Sequence, residues 1–181
     1  RYVKIFASGS KAPLKATPGH FATNHAHINY YLDMTTLKTR LSEAQEVAKH
    51  LAERFLFDKV VDTIVCLEGT QVIGAYLAEE LTRAGVLSTN AHKTIYVITP
   101  EYNSNSQMVF RENILPMVHG KNVVILTAVV TTGLSLNKSI EAIQYYGGKL
   151  QSAAAVFSTL DELNGCPITS IYSPEDVTDY I

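Results

Sequence analysis

At 181 residues the chain is long enough for one domain with a full core. Its hydrophobic share of 46% and charged share of 18% are ordinary for a globular protein. A formal charge of −2, with lysines and arginines scattered along the chain, argues against a surface built to track nucleic acid or an anionic membrane. No run approaches the roughly twenty apolar residues that a bilayer span needs.

In chain order, residues 1–34 carry little helical periodicity, which predicts a small cap of strands or loops. Within it His25 and His27 would share one face of a strand near His20, a usable metal geometry. No acid lies closer than Asp33, so surface or hydrogen-bonding histidines are the preferred reading. From Leu37 to Phe57, the residues Leu37, Leu41, Ala44, Val47, Ala48, Leu51 and Phe55 fall on one stripe and predict a long amphipathic helix. Thr63–Leu67 then reads as a buried strand. An isolated cysteine in Val65-Cys66-Leu67 is a small buried hydrophobe, and Cys166 lies too far along the chain for a metal-type pair. Both suit a reducing cytoplasm.

Val72–Ala84 predicts a second helix, closed by a left-handed cap at Gly85. Thr94–Thr99 follows as a strand, and residues 100–107 as a polar loop in the place where mobile active-site loops occur. Asn122–Thr127 predicts a strand, Leu134–Tyr146 a helix ended by Gly147-Gly148, and Ser152–Phe157 and Ile168–Tyr172 two more strands. Asp161-Glu162 reads as the first turn of a helix capped by Ser158 or Thr159, and the pair Tyr145-Tyr146 as packing or a subunit contact. Ser173-Pro174-Glu175-Asp176 starts a last helix, with proline at its first position and acids on the positive end of the dipole.

Five strands apolar on both faces, alternating with helices, predict a doubly wound, mainly parallel five-stranded α/β sheet covered on both faces. Ligands of such sheets bind beyond the carboxyl ends of the strands. At one such end lies Thr131-Thr132-Gly133-Leu134-Ser135, between a strand and a helix. Amides at a helix start point outward unpaired and favour an anion. Gly133 lets the backbone come close to a ligand, and Thr131, Thr132 and Ser135 add hydroxyls. Plain helix capping needs one hydroxyl, whereas this site offers three. A dinucleotide fold is disfavoured, since no G-x-G-x-x-G follows a strand.

The stretch Asn122 to Ser135, an apolar strand running into Thr-Thr-Gly, resembles the 5-phosphoribosyl-1-diphosphate (PRPP) signature of type I phosphoribosyltransferases. His27 to Met34 is similar to the amino-terminal hood of the orotate phosphoribosyltransferases, and Val61 to Ala75 to their pyrophosphate loop with the helix behind it. The order of segments holds over roughly residues 19–160. The resemblance implies one domain over residues 1–181, with a hood at 1–34 and an α/β core at 35–181. It also implies a homodimer, magnesium, and transfer of a phosphoribosyl group from PRPP to a nucleobase in pyrimidine biosynthesis, with pyrophosphate released. In that reading Thr131, Thr132, Gly133, Leu134 and Ser135 hold the 5′-phosphate, and Thr127 and Ala128 lie on the ribose side. Glu68, Gly69, Thr70 and Gln71 line the pyrophosphate side, and Tyr30 or Tyr31 covers the base.

The departures from the family bear on function. Thr127-Ala128 stands where the signature carries two adjacent acids for the ribose hydroxyls, which removes two charge-assisted bonds of ~1.5–3 kcal/mol each. Thr99 to Gln107 contains no base and one acid, where related enzymes carry arginine, lysine and histidine for the leaving pyrophosphate. Arg111 is the nearest cation, read as lying on a solvated helix face, and Glu68 adds a negative group beside the pyrophosphate position. The hood lacks the family's lysine near Ala22-Thr23-Asn24. Two functions follow as expectations: a transferase of this family, or a homologue that binds PRPP or a nucleoside monophosphate without efficient turnover.

Overall fold

The computed structural model describes residues 1–22, 27–83, 89–91 and 93–178. The chain opens with three antiparallel strands, β1 (Val3–Phe6), β2 (Pro13–Ala22) and β3 (His27–Asp33), paired in that order. Two helices follow, α1 (Thr35–Thr39) and α2 (Leu41–Leu51), the second running into a π-helical turn at Ala52–Leu56. Next come β4 (Thr63–Cys66), α3 (Gln71–Thr82), β5 (Tyr96–Ile98), a hairpin of β6 (Glu101–Tyr102) and β7 (Met108–Val109), and β8 (Asn122–Val130). The chain ends with α4 (Leu134–Tyr145), β9 (Lys149–Ser158), β10 (Glu162–Leu163), β11 (Cys166–Tyr172) and α5 (Pro174–Thr178).

The main sheet runs β10-β11-β9-β8-β4-β5, parallel from β11 to β5. All five expected strands are present. The sheet has a sixth, because β10 pairs antiparallel with β11 at its edge. Asp161-Glu162 therefore does not open a helix. Asn164 (φ 50°) and Gly165 (φ 81°) are both left-handed, the requirement of a two-residue hairpin turn, and the Gly165 amide donates to Glu162 Oε1 at 2.6 Å.

Successive sheet residues serve two cores, as a period of two requires. Ile64, Cys66, Val124, Leu126, Ala154 and Val156 pack with Val47 and Leu51 of α2 and Ile73 and Leu77 of α3. Val65, Val123, Ile125, Ala153 and Ala155 face Leu136, Ile140 and Ile143 of α4. Ile5, Leu14 and Ala16 of the amino-terminal sheet join the first core. The Tyr172 hydroxyl ties that sheet to the last strand, donating to Ile5 O at 2.9 Å and accepting from Ala7 N at 3.0 Å.

The single helix expected from Leu37 to Phe57 is broken at Arg40, whose backbone is extended (φ −82°, ψ 122°). Glu43 rewards the break. Its carboxylate sits in the first turn of α2, pairs with Arg40 at 3.2 Å and accepts from Thr36 Oγ1 at 2.9 Å. Leu41, counted on the apolar stripe, is exposed at the junction. Both cysteines are buried and free; burial pushes the Cys66 thiol up to about 12 and the Cys166 thiol to about 11, so neither ionises near neutrality. The Gly85 cap and His25 lie outside the described residues, as do the side chains of His20 and His27. Among the described residues no helix is long and apolar enough to cross a membrane.

Candidate active site

Parallel strands bring their carboxyl ends to one edge, so the turns after β4, β5, β8 and β9 converge there. They frame a cleft of about 1560 Å³. Its walls include Tyr30 and Tyr31 of β3, Glu68 after β4, the β6–β7 hairpin, Thr127 and residues 131–135 from β8 into α4, and Thr159 after β9. Residues picked out in three separate stretches of sequence thus share one cavity.

The turn into α4 has the chemistry of an anion seat. Leu134 N reaches Thr132 Oγ1 only at 3.4 Å, and the amides of Thr132, Gly133, Ser135 and Leu136 donate to no group among the described residues. Thr132, Leu134 and Ser135 are exposed to the cleft. Thr159 Oγ1 donates to the Thr131 carbonyl and so closes the turn from the neighbouring strand. Gly133 is left-handed (φ 83°), and a Cβ there would meet Leu160 Cδ1 at 2.9 Å and Leu163 Cδ2 at 3.1 Å. The β10 hairpin therefore packs directly beneath the turn. Glycine is required there by backbone conformation and packing, beyond any need of a ligand.

On the opposite wall the pyrophosphate-loop candidates divide. Thr70 is fully buried, its hydroxyl donating to Leu67 O at 2.7 Å and lying 3.2 Å from Leu126 O. It fastens the loop to the sheet, and neither it nor Gly69 nor Gln71 lines the cleft. Glu68 does. Its backbone is left-handed (φ 56°), an uncommon state for a residue with a Cβ, and Lys38 Nζ donates to its carbonyl at 2.9 Å. The carboxylate turns inward to accept from Thr127 Oγ1, with the Ala128 and Val129 amides at 3.3 and 3.4 Å from the same oxygen. The loop after β4 thereby brings an acid against residues 127–129 of β8, where the strand itself has none. The Ala128 methyl is buried in the first core and its amide faces Glu68, so Ala128, expected on the ribose side, does not line the cleft.

The segment expected as a mobile loop is a closed hairpin. Asn103 Oδ1 accepts from the Asn105 amide at 2.9 Å and the Gln107 amide at 3.0 Å, and Asn103 N donates to Gln107 O at 3.0 Å. Phe110 beyond β7 packs edge-to-face on Tyr146 at 5.3 Å, which holds the hairpin against α4. Arg111 is on no helix. It lies two residues past β7 and pairs with Glu101 at 2.6 Å, so it does not face the cleft. Among the described lining residues the one cation is Lys138, with Glu141 three residues along α4. Tyr146 is half-buried in packing as expected, while Tyr145 is 83% exposed at the cleft's far end.

At the hood side, Tyr30 lies edge-to-face on Phe157 at 6.1 Å, and burial raises its phenol pKa. Tyr31 is half exposed. Tyr102 approaches from the hairpin, its phenol raised by burial and next by the Glu68 charge. Sequence reading named Thr159 only as a helix cap and gave Tyr102 and Lys138 no role of their own; their positions after β5, in α4 and after β9 were the available signal.

Comparison with solved structures identifies the architecture. The chain superposes on orotate phosphoribosyltransferase from Aeropyrum pernix with a TM-score of 0.62 and 18% identity, covering 91% of each chain. The orotate phosphoribosyltransferase of Mycobacterium tuberculosis in complex with PRPP gives a TM-score of 0.60 and 16% identity, over 81% of this chain and 82% of that one. Adenine phosphoribosyltransferase from Rhodothermus marinus gives 0.56 and 15%, over 88% and 93%. No protein-family model matches the sequence, and comparison with curated protein sequences returns no match. The fold is that of the type I phosphoribosyltransferases.

Proposed function

We propose that the cleft binds a 5-phosphoribosyl compound, with the 5′-phosphate on Thr131–Ser135, the sugar against Thr127 and Glu68, and a base beneath Tyr30. The observation that carries this reading is the turn into α4. Four unpartnered amides and three hydroxyls converge at a helix start, in a cleft where a planar group has Tyr30 for cover.

Binding is better supported than turnover. Departure of a diphosphate needs positive groups aimed at the developing charge. The hairpin supplies none, and Arg111 is taken up by Glu101. Among the described residues no three His, Cys, Asp or Glu converge, so magnesium would have to be held by one or two carboxylates together with the ligand's own phosphates. Phosphoribosyl transfer to orotate or another base is the second reading. It is favoured by the aromatic cover and by a hairpin arching over the cleft.

Two measurements separate these. Ribose 5-phosphate or a nucleoside monophosphate at a hundred times its dissociation constant should stabilise the fold by about 2.7 kcal/mol, read as a rise in Tm. Absence of any shift at millimolar ligand would remove the binding proposal. Incubation with orotate, PRPP and magnesium, followed by orotate absorbance, tests transfer, and consumption of the base would establish the second reading.

A further inference from the structure

Resting on that reading, we infer that Glu68 sets the charge class of the ligand. The cleft takes a 5-phosphorylated ribose carrying one phosphate, as ribose 5-phosphate or a nucleoside 5′-monophosphate, and disfavours one that also carries a 1-diphosphate.

Three features lead there. The Glu68 carboxylate does not extend into solvent; Thr127 Oγ1 and the Ala128 and Val129 amides hold one of its oxygens at the end of β8. Its second oxygen, Oε2, has no partner among the described residues, and an ionised carboxylate only accepts hydrogen bonds. It can therefore receive a sugar hydroxyl, and with no cation among the described residues to offset it, it repels a diphosphate oxygen.

Second, the seat for one phosphate is separate from this point. From Val129, the last amide facing the carboxylate, to the Thr132 amide is three residues, about 10 Å at roughly 3.3 Å per residue, room for a pentose between carboxylate and amides. Third, among the described residues no cation is placed for a second phosphate. Lys38 donates to the Glu68 carbonyl and does not line the cleft, Arg111 pairs with Glu101, and Lys138 has Glu141 one turn along α4. A ligand's 5′-phosphate meets four free amides, whereas a 1-diphosphate meets a fixed negative charge. At an effective dielectric near 20, like charges a few ångströms apart shift affinity by about tenfold or more.

The test is calorimetric titration of the intact chain with ribose 5-phosphate, uridine monophosphate and PRPP, in buffer freed of divalent metal. The wild-type protein should bind ribose 5-phosphate at least about tenfold tighter than PRPP. Glu68→Gln, which removes the charge at nearly constant shape, should close that gap to below about threefold. Glu68→Gly suits the left-handed backbone, provides a second variant should the first fold poorly, and should behave likewise. PRPP binding as tightly as ribose 5-phosphate in the wild type, or an unchanged ratio in both variants, overturns the inference while leaving the phosphate seat intact. If no phosphorylated ligand binds, the seat itself is wrong and the inference falls with it.

Discussion

Gly133 shows how a residue chosen for a ligand can be required by the fold. Its left-handed backbone and its closeness to Leu160 and Leu163 mean that Gly133→Ala forces both a strained φ and a clash. The expected cost is roughly 1–3 kcal/mol, with ligand binding lost as well. Urea titration checks this, and Leu160→Ala added to Gly133→Ala should recover only the steric part. Asp62 supports a second prediction. Burial alone would raise its pKa, but the Lys93 ammonium at 2.8 Å and the Asn122 amide and side chain at 2.8 and 2.9 Å outweigh that and hold it below the usual carboxylate range. A carboxyl depressed on folding contributes stability above its unfolded pKa of about 3.9 and loses it as pH falls through the folded value. Asp62→Asn should therefore lower Tm at pH 7 and narrow its difference from wild type progressively below about pH 4.

Among elements, the β6–β7 hairpin departs furthest from expectation. A run of asparagine, serine and glutamine with no apolar alternation reads as loop, yet Asn103 uses its own side chain to pair the amides a ladder would otherwise need. Asn103→Ala should cost about 1 kcal/mol of stability and speed amide exchange at residues 105–107 by hydrogen-exchange mass spectrometry, while Phe110 keeps the base of the hairpin on α4. The β10 hairpin was signalled more openly. Asn164-Gly165 is the strongest short-range hairpin pair, but Asp161-Glu162 after two hydroxyl residues carries the competing pattern of a capped helix. Strand pairing with β11 and the Leu163–Gly133 contact decide between them.

At the scale of the whole molecule, the amino-terminal sheet is joined to the α/β sheet through one core and through Tyr172. Tyr172→Phe leaves Ala7 N–H and Ile5 C=O without their buried partner, at an expected cost of roughly 1–3 kcal/mol. Hydrogen exchange should then quicken in β1 and the start of β2 ahead of the main sheet. Equal acceleration everywhere would mean that the two sheets unfold as one unit.

The sequence alone determined the five parallel strands, the helices between them and the hydroxyl-rich turn into α4, because each rests on local facts. Strands buried on both faces are apolar at every position, and a strand-to-helix turn rich in hydroxyls and glycine declares its own free amides. Tertiary structure decided what the site does with Glu68. Thr127-Ala128, read alone, only lacks the paired acids of the signature that the stretch resembles. A carboxylate 59 residues earlier reaches Thr127, because parallel pairing of β4 with β8 sets Cys66 beside Leu126 and carries Glu68 alongside the neighbouring strand. No local pattern encodes that meeting, since the distance between the two residues along the chain is closed only by the register of the sheet.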